Sequence, residues 1–370
     1  MKILYITTIS LTINTFFKPH IEMLVKKGCQ VDIACNYSDL ELDGLYSELG
    51  CKSYQIDFSR SPLSKDNIKA YGQLKAVIEN GEYDIVHCHT PNASIITRLV
   101  CRKFRKKNGI KVFYTAHGFH FYKGAPKLNW AVYYPVEKFC SRFTDKLITI
   151  NQEDYELAKS KFKAKQVCYV PGVGIDLSRF ENVQVDKGAK RQEIGVPQDA
   201  MLLFSVGELN DNKNHQVMIK ALARLDDPTI HYAIAGVGEK KEYLIKLAQE
   251  LGVSEQVHFL GFRNDIFELN CCVDIFCFPS FREGLSASLM EAMASSLPCV
   301  VSHIRGNVDL IDDKGGALFD PHSDQSCANA ISKVMKSDMQ GIGMYNSDKA
   351  KNFGVLPVID KVERIYFESN

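Results

Sequence analysis

The sequence lacks any uninterrupted apolar run near the roughly 18 residues that a membrane-spanning helix needs. Its 45% hydrophobic and 24% charged content is ordinary for a soluble globular protein. No C-x-x-C spacing occurs, and the adjacent Cys271 and Cys272 suit neither a disulfide framework nor a zinc site. The 12 cysteines are scattered instead, with Cys35, Cys88, Cys277 and Cys299 inside apolar runs, which reads as buried free thiols in a reducing cytoplasm. The opening MKILYITTIS lacks the small-residue cleavage site of a signal peptide and reads as a first strand. No stripe of interleaved aromatic and basic residues marks a nucleic-acid surface.

Net charge is also nearly absent, at +1, but this hides an asymmetry. Residues 1–180 hold 26 Lys and Arg against 17 Asp and Glu, and the remainder holds 19 against 27. A basic half joined to an acidic half turns one lobe toward something anionic, such as a phosphate-bearing acceptor or a membrane surface. Five basic residues fall within 102–107, around Phe104. They read first as a solvated helix end, whose last turn favours cations, and second as a contact for anionic lipid.

What the chain does have is alternation. A length of 370 residues exceeds what one core usually serves, so two domains are expected. ILYIT, VDIAC, YDIVHC, KVFYT and KLITI read as parallel strands in the first half, and AMLLFSV, IHYAIAG, QVHFLG, DIFCF and PCVVS in the second. Amphipathic helices at 65–80, 92–107, 215–225 and 240–251 lie between them. Strand then helix, twice in series, predicts two doubly wound α/β domains of Rossmann type. PGVGIDLSRF (171–180) ends a strand with Pro and two Gly, and a polar segment (181–200) follows. The expected domains are therefore 1–171 and 172–354, with a terminal helix at about 355–370 packing back on the first. Ligands of such sheets bind beyond the carboxyl ends of the strands. His87, His89, His117, His120, Glu208 and Glu283 all fall just past strand ends.

Two segments carry the chemistry. In FREGLSASLMEAMASSLPCVVS (281–302) a strand ends, Gly284 turns the chain, and a helix begins near Ser286. A helix start presents unpaired backbone N–H groups and a positive dipole end, a seat for phosphate. Glu283 precedes that helix and Glu291 lies about a turn and a half inside it, beside an apolar face. Two carboxylates so placed can accept hydrogen bonds from sugar hydroxyls. In SVGELNDNKNH (205–215) a strand, a turn at Gly207 and a polar loop lead to a helix, and Lys213 in the loop is a point charge for a diphosphate. AIAGVGE (233–239) has G-x-G without a third Gly and reads as a tight turn.

Together these segments resemble glycosyltransferase family 4, retaining enzymes of the GT-B fold, with two Rossmann-like domains facing across a cleft. Glu283 and Glu291 match its pair of glutamates separated by seven residues, Lys213 matches its phosphate-binding lysine, and PGVGID, VHFLGFRND and DIFCFPS fall in the expected order. TAHGFHFYKGAP, YYPVEKFC and TDKLITINQED look like bacterial members that build capsular, exopolysaccharide or O-antigen units. The resemblance implies that Glu283 holds donor-sugar hydroxyls with the backbone of Gly284 and Leu285, and that Glu291 holds the ribose. Lys213 and the helix start at Ser286 would carry the diphosphate, with Gly207 in the first phosphate loop. The turn at Phe262 and Arg263 would lie near the base, and His117 beside the reacting sugar. Thr8, Ser10, His87, His89 and His120 fall on the acceptor side.

Two departures stand out. Glu208 occupies the position after Gly207 where the family usually has Arg, so it must turn away or pair with a cation; Arg263, Arg282 or Arg305 could supply charge in its stead. The first loop, Thr8–Thr12, has no glycine where many members have two. No D-x-D occurs, the spacing by which other glycosyltransferases hold a divalent cation, so neither metal nor cofactor is expected. The expected partners are a nucleotide-sugar, UDP-linked before GDP-linked, and a saccharide or lipid-linked saccharide acceptor. The expected place is the cytoplasm, at the inner face of the membrane where the basic domain meets it. A nucleotide-sugar epimerase of the same fold and a non-catalytic nucleotide-sugar-binding protein are the rival readings.

Overall fold

A computed structural model describes residues 1–180 and 184–368; residues 181–183, the start of the expected polar segment, lie outside the described residues. The chain divides into two compact units, Met1–Gly174 with Val355–Asn370, and Ile175–Gly354.

The first unit is built on seven strands: β1 (Lys2–Ile9), β2 (Gln30–Asn36), β3 (Ser53–Gln55), β4 (Ile85–His89), β5 (Lys111–Ala116), β6 (Lys146–Thr149) and β7 (Gln166–Tyr169). They pair in parallel in the order β3-β2-β1-β4-β5-β6-β7. The second unit uses β8 (Met201–Val206), β9 (Ile230–Ala235), β10 (Val257–Gly261), β11 (Ile275–Phe278), β12 (Cys299–Ser302) and β13 (Gly316–Phe319). Their order is β10-β9-β8-β11-β12-β13, again all parallel. The strand order reverses between β1 and β4 in one unit and between β8 and β11 in the other. The loops that leave those four strands are where a doubly wound sheet opens a crevice.

Helices cover both faces, which is why the inner strands are apolar runs and not alternating ones. All of β9 and all of β11 are buried. The helices Asp66–Gly81, Pro91–Asn108, His215–Leu225 and Lys241–Glu250 stand where periodicity places them. Three strands escape sequence reading, β3, β7 and β13, and each is an edge strand of three or four residues. The polar segment 181–200 also holds a helix, Lys187–Glu193, capped by Asp186. Its Arg191 is buried and donates to the carbonyls of Cys272 and Ala200 and to Asp274. The terminal helix Val355–Phe367 buries Val358, Val362 and Tyr366 in the same core as Ile3, Tyr5, Ile33 and Phe113 of the first unit.

One ion pair lies inside that unit. Arg98 and Glu137 meet at 2.7 Å with side chains 1% and 8% exposed. Arg98 also donates to the Ser94 carbonyl and lies 4.2 Å over the Tyr114 ring. Removing one member strands the other charge without water. Glu137→Ala is expected to lower the unfolding free energy of the first unit by about 3–5 kcal/mol, measured by urea titration; a loss below about 1 kcal/mol would place the pair among weak surface contacts.

Candidate functional site

In the second unit the loops that leave β8 and β11 approach each other side by side. The Phe281 amide donates to the Asn212 carbonyl at 2.8 Å, and the Asn212 amide returns a bond to the Arg282 carbonyl at 3.1 Å. Asn214 takes the left-handed backbone that Asn tolerates and donates to the carbonyls of Pro279 and Pro321. Across this seam Lys213 Nζ meets Glu283 Oε1 at 2.9 Å, with both side chains mostly but not fully buried. The ammonium also stands 4.8 Å from the Phe278 ring centroid. The two residues singled out on separate motifs are therefore in direct contact.

The seam depends on backbones lying close. A Cβ on Gly236 would sit 1.9 Å from the Gly207 carbonyl oxygen, so the first Gly of the G-x-G after β9 lets the loop after β8 lie on it. Gly306 has φ +79, and a Cβ there would sit 2.4 Å from the Gly284 oxygen. Arg305 is buried beside it and donates to the Glu283 carbonyl at 3.2 Å, fixing the loop of the carboxylate. Asn212, Asn214 and Gly306 were not singled out from sequence, although an Asn immediately before a helix is a signal for a cap or a left-handed turn.

Ser286 caps the helix Ala287–Ala294, its side chain accepting from the Leu289 amide. That helix buries Leu289, Met290, Ala292 and Met293, and a Leu or Met so buried contributes roughly 1.5–3 kcal/mol. Glu291 is carried on the same helix into a half-buried position, where burial pushes its carboxyl pKa up and Arg179 only partly opposes this. Among the described residues nothing hydrogen-bonds that carboxyl. Leu285 and Gly284 are half-buried in the loop before the cap.

Arg263 donates to both oxygens of Asp265 and to Glu193, and Lys190 joins the same carboxylates. This network holds Arg263 in place, while Phe262 beside it is 74% exposed. Arg282 is exposed. Glu208 is exposed too, accepts from the Asn210 amide at 2.8 Å, and makes no ion pair among the described residues. Among the described residues no three His, Cys, Asp or Glu side chains are grouped to hold a metal ion.

In the first unit, Thr8 lies near the end of β1 and Thr90 directly follows β4. Their hydroxyls lie 2.7 Å apart, and the Thr8 amide donates to Thr90 Oγ1 at 3.1 Å. Thr90 has φ 63 and ψ 142, strained for a β-branched residue and held by those bonds. Ser10 is buried and donates to the Leu40 carbonyl. His120 stacks on Tyr133 at 4.7 Å.

His87 and His89, expected past a strand end, lie inside β4 and are each 2% exposed. His87 hydrogen-bonds Thr115 and Tyr366, while His89 packs against Tyr5 and Phe17. His117 is half-buried, 3.3 Å from His89 through ring nitrogens. Burial, then repulsion from His20, pushes the His117 pKa down to about 4; His87 falls to about 3, chiefly by burial, and His89 falls well below the usual value for the same reason.

Residues 2–151 match the family model described as Glycosyl transferase 4-like, and residues 186–352 the one described as Glycosyl transferases group 1. EpsD of Bacillus subtilis (strain 168), assigned as a glycosyltransferase, is 36% identical over 99% of this chain and 96% of its own. The chain belongs to the group 1 glycosyltransferases. An Escherichia coli relative of this glycosyltransferase is 28% identical over 94% of this chain and 91% of its own; it is named UDP-Gal:alpha-D-GlcNAc-diphosphoundecaprenol alpha-1,3-galactosyltransferase. Among solved structures, Anabaena Alr3699/HepE in complex with UDP and glucose matches over 100% of both chains with a TM-score of 0.79 at 19% identity. WaaG, a glycosyltransferase of lipopolysaccharide biosynthesis, matches over 99% of this chain and 100% of its own with a TM-score of 0.73 at 18% identity. The glycosyltransferase has the GT-B fold.

The depressed histidines bind protons in the unfolded chain before they do in the folded one. Their contribution is therefore complete above about pH 6.5 and lost as pH falls toward 4. Urea unfolding between pH 7 and 4.5 is expected to show falling stability, with His87→Gln shallower by up to one proton, about 1.4 kcal/mol per pH unit. Equal slopes in the two proteins would mean that His87 is not held neutral by burial.

Proposed function

We propose that this glycosyltransferase moves a hexosyl or N-acetylhexosaminyl group from a UDP-sugar to a glycan or lipid-linked saccharide of a bacterial surface polysaccharide, retaining the anomeric configuration and needing no metal. The observation that carries the reading is the Lys213–Glu283 contact at the switch point of the second unit, beside the helix start at Ser286. An incoming donor exchanges this contact for its own groups. The diphosphate takes Lys213 and the helix-end amides, a hydroxyl of the sugar takes Glu283, and the ribose hydroxyls take Glu291. A ribose hydroxyl would give Glu291 the hydrogen bond it lacks and favour its ionised form.

The bond from the anomeric carbon to the β-phosphate oxygen then breaks, its electron pair leaving with UDP. The acceptor oxygen bonds to the same face of the sugar, and its proton passes to the departing phosphate. Lys213 and the amides stabilise the charge that develops there without rearranging. His117, neutral near pH 7, is suited to hydrogen-bonding a reacting hydroxyl and not to neutralising phosphate. The named substrate of the Escherichia coli relative and the UDP and glucose bound to HepE support the choice of donor. Glu208, which stands where the family usually has Arg, is exposed and hydrogen-bonded by the Asn210 amide. Arg102, Lys103, Lys106 and Lys107 form an exposed basic helix end suited to an anionic bilayer, while Arg105 is taken up by Asp145.

With a panel of UDP- and GDP-sugars, EDTA present and a lipid-linked saccharide as acceptor, one UDP-sugar is expected to release its nucleotide. Lys213→Ala and Glu283→Ala should each lower kcat by about a hundredfold or more. Activity abolished by EDTA and restored by Mn²⁺ would overturn the metal-free reading.

A further inference from the structure

The carboxyl ends of β1 and β4 open onto two adjoining pockets. One, of about 270 Å³, has a mixed lining in which Thr8, Thr12, Arg60 and Thr90 supply the polar groups. The other, of about 340 Å³, is walled by apolar side chains that include Leu63, Ile95, Leu128, Val132 and Val136. The two share Pro62, Pro91, Asn92, His120 and Tyr133, so a single ligand can occupy both. The apolar volume lies within the range of about 300–1,000 Å³ typical of small-ligand sites.

The rim of the apolar pocket is exposed. Leu63 is 93% exposed, and Leu128, Val132 and Val136 are 71%, 49% and 38% exposed. The last three recur every four residues on the helix Lys127–Cys140, so they form one face. Scattered exposed apolar residues are ordinary, but four around one pocket mouth make a patch that wants a partner. The first pocket offers the complementary half. Arg60 makes no ion pair among the described residues, and its loop is fixed by Asn92 donating to the Ser59 and Arg60 carbonyls. A cation and hydroxyls beside an apolar slot fit an anionic head joined to a hydrocarbon chain.

We propose that these pockets are the acceptor site for a polyisoprenyl diphosphate-linked saccharide, with its diphosphate at Arg60 and the threonines and its first isoprene units against Leu63, Leu128, Val132 and Val136. This rests on the reading that the acceptor is lipid-linked. The unit's basic balance suits the same head group, and the exposed rim lets the remainder of the chain leave the pocket toward a bilayer.

The test uses the full-length protein without donor, so it does not depend on Lys213 or Glu283. Farnesyl diphosphate, inorganic pyrophosphate and farnesol are titrated by calorimetry. Trp130, the single tryptophan, is followed by fluorescence; it lies 5.6 Å from Phe121 of the apolar pocket. Farnesyl diphosphate is expected to bind about tenfold or more tightly than pyrophosphate, as burial of several CH₂ groups requires. Leu63→Asp and Val132→Asp, both at exposed positions, should weaken farnesyl diphosphate by about tenfold while leaving pyrophosphate unchanged. Arg60→Ala should weaken both diphosphates by the same factor.

Farnesyl diphosphate binding no tighter than pyrophosphate, or binding untouched by both Asp variants, overturns the proposal. So does Val132→Asp releasing the protein from phosphatidylglycerol vesicles while leaving the farnesyl diphosphate titration unchanged, which would make the rim a bilayer-docking face. Native protein that releases nucleotide, and loses this in Lys213→Ala, but does not bind farnesyl diphosphate refutes the site assignment and spares the donor chemistry; farnesyl diphosphate binding that persists in Lys213→Ala supports the site assignment independently of the donor reading.

Discussion

The contact between Lys213 and Glu283 is possible only because two loops from strands far apart in sequence lie side by side at the point where strand order reverses. Much of the second unit serves that approach. Gly236 lacks the side chain that would strike Gly207, Gly306 lacks the one that would strike Gly284, and Asn212, Asn214 and Arg305 bond across the seam. A partly buried ion pair between two loops contributes modestly to stability, because desolvation offsets its Coulomb energy. Its significance is geometric. It keeps a cation and a carboxylate, the two chemistries a sugar diphosphate needs, within one ligand's reach.

The first unit solves a different problem. Its switch point carries a strained Thr90, fixed by Thr8, and behind it lies a stack of histidines held neutral by burial. A neutral imidazole packs as an aromatic ring and still hydrogen-bonds, which suits a core reached by Tyr366 from the terminal helix. The unit's excess positive charge is thereby left to its surface. There Arg60 and the exposed end of the helix Pro91–Asn108 meet solvent.

Sequence reasoning recovers the inner strands and long helices because burial on both faces writes itself as apolar runs and helical periodicity. It loses β3, β7 and β13 because edge strands are short and, in β3 and β7, only half-covered, so no apolar run marks them. Ion pairs are hard to read for a related reason. Arg105 reads as part of a solvated helix end, but Asp145, far along the chain, pairs with it, and Arg263 pairs with Asp265 on its own turn. His87 and His89 read as lying past a strand end, yet both are inside β4, where helices on both faces of the sheet leave every residue buried. Lys213 and Glu283 were legible because loop, turn and helix start coincide at each; that they touch was not.

The most direct test of the donor site is calorimetric binding of UDP and of the UDP-sugar that the release assay selects, to the native protein and to Lys213→Met and Glu283→Gln. Lys213 acting on the diphosphate predicts that Lys213→Met weakens both ligands alike, and Glu283 acting on the sugar predicts that Glu283→Gln weakens only the UDP-sugar, by about tenfold or more. Equal weakening of UDP and UDP-sugar by Glu283→Gln would contradict the division of labour between the two residues.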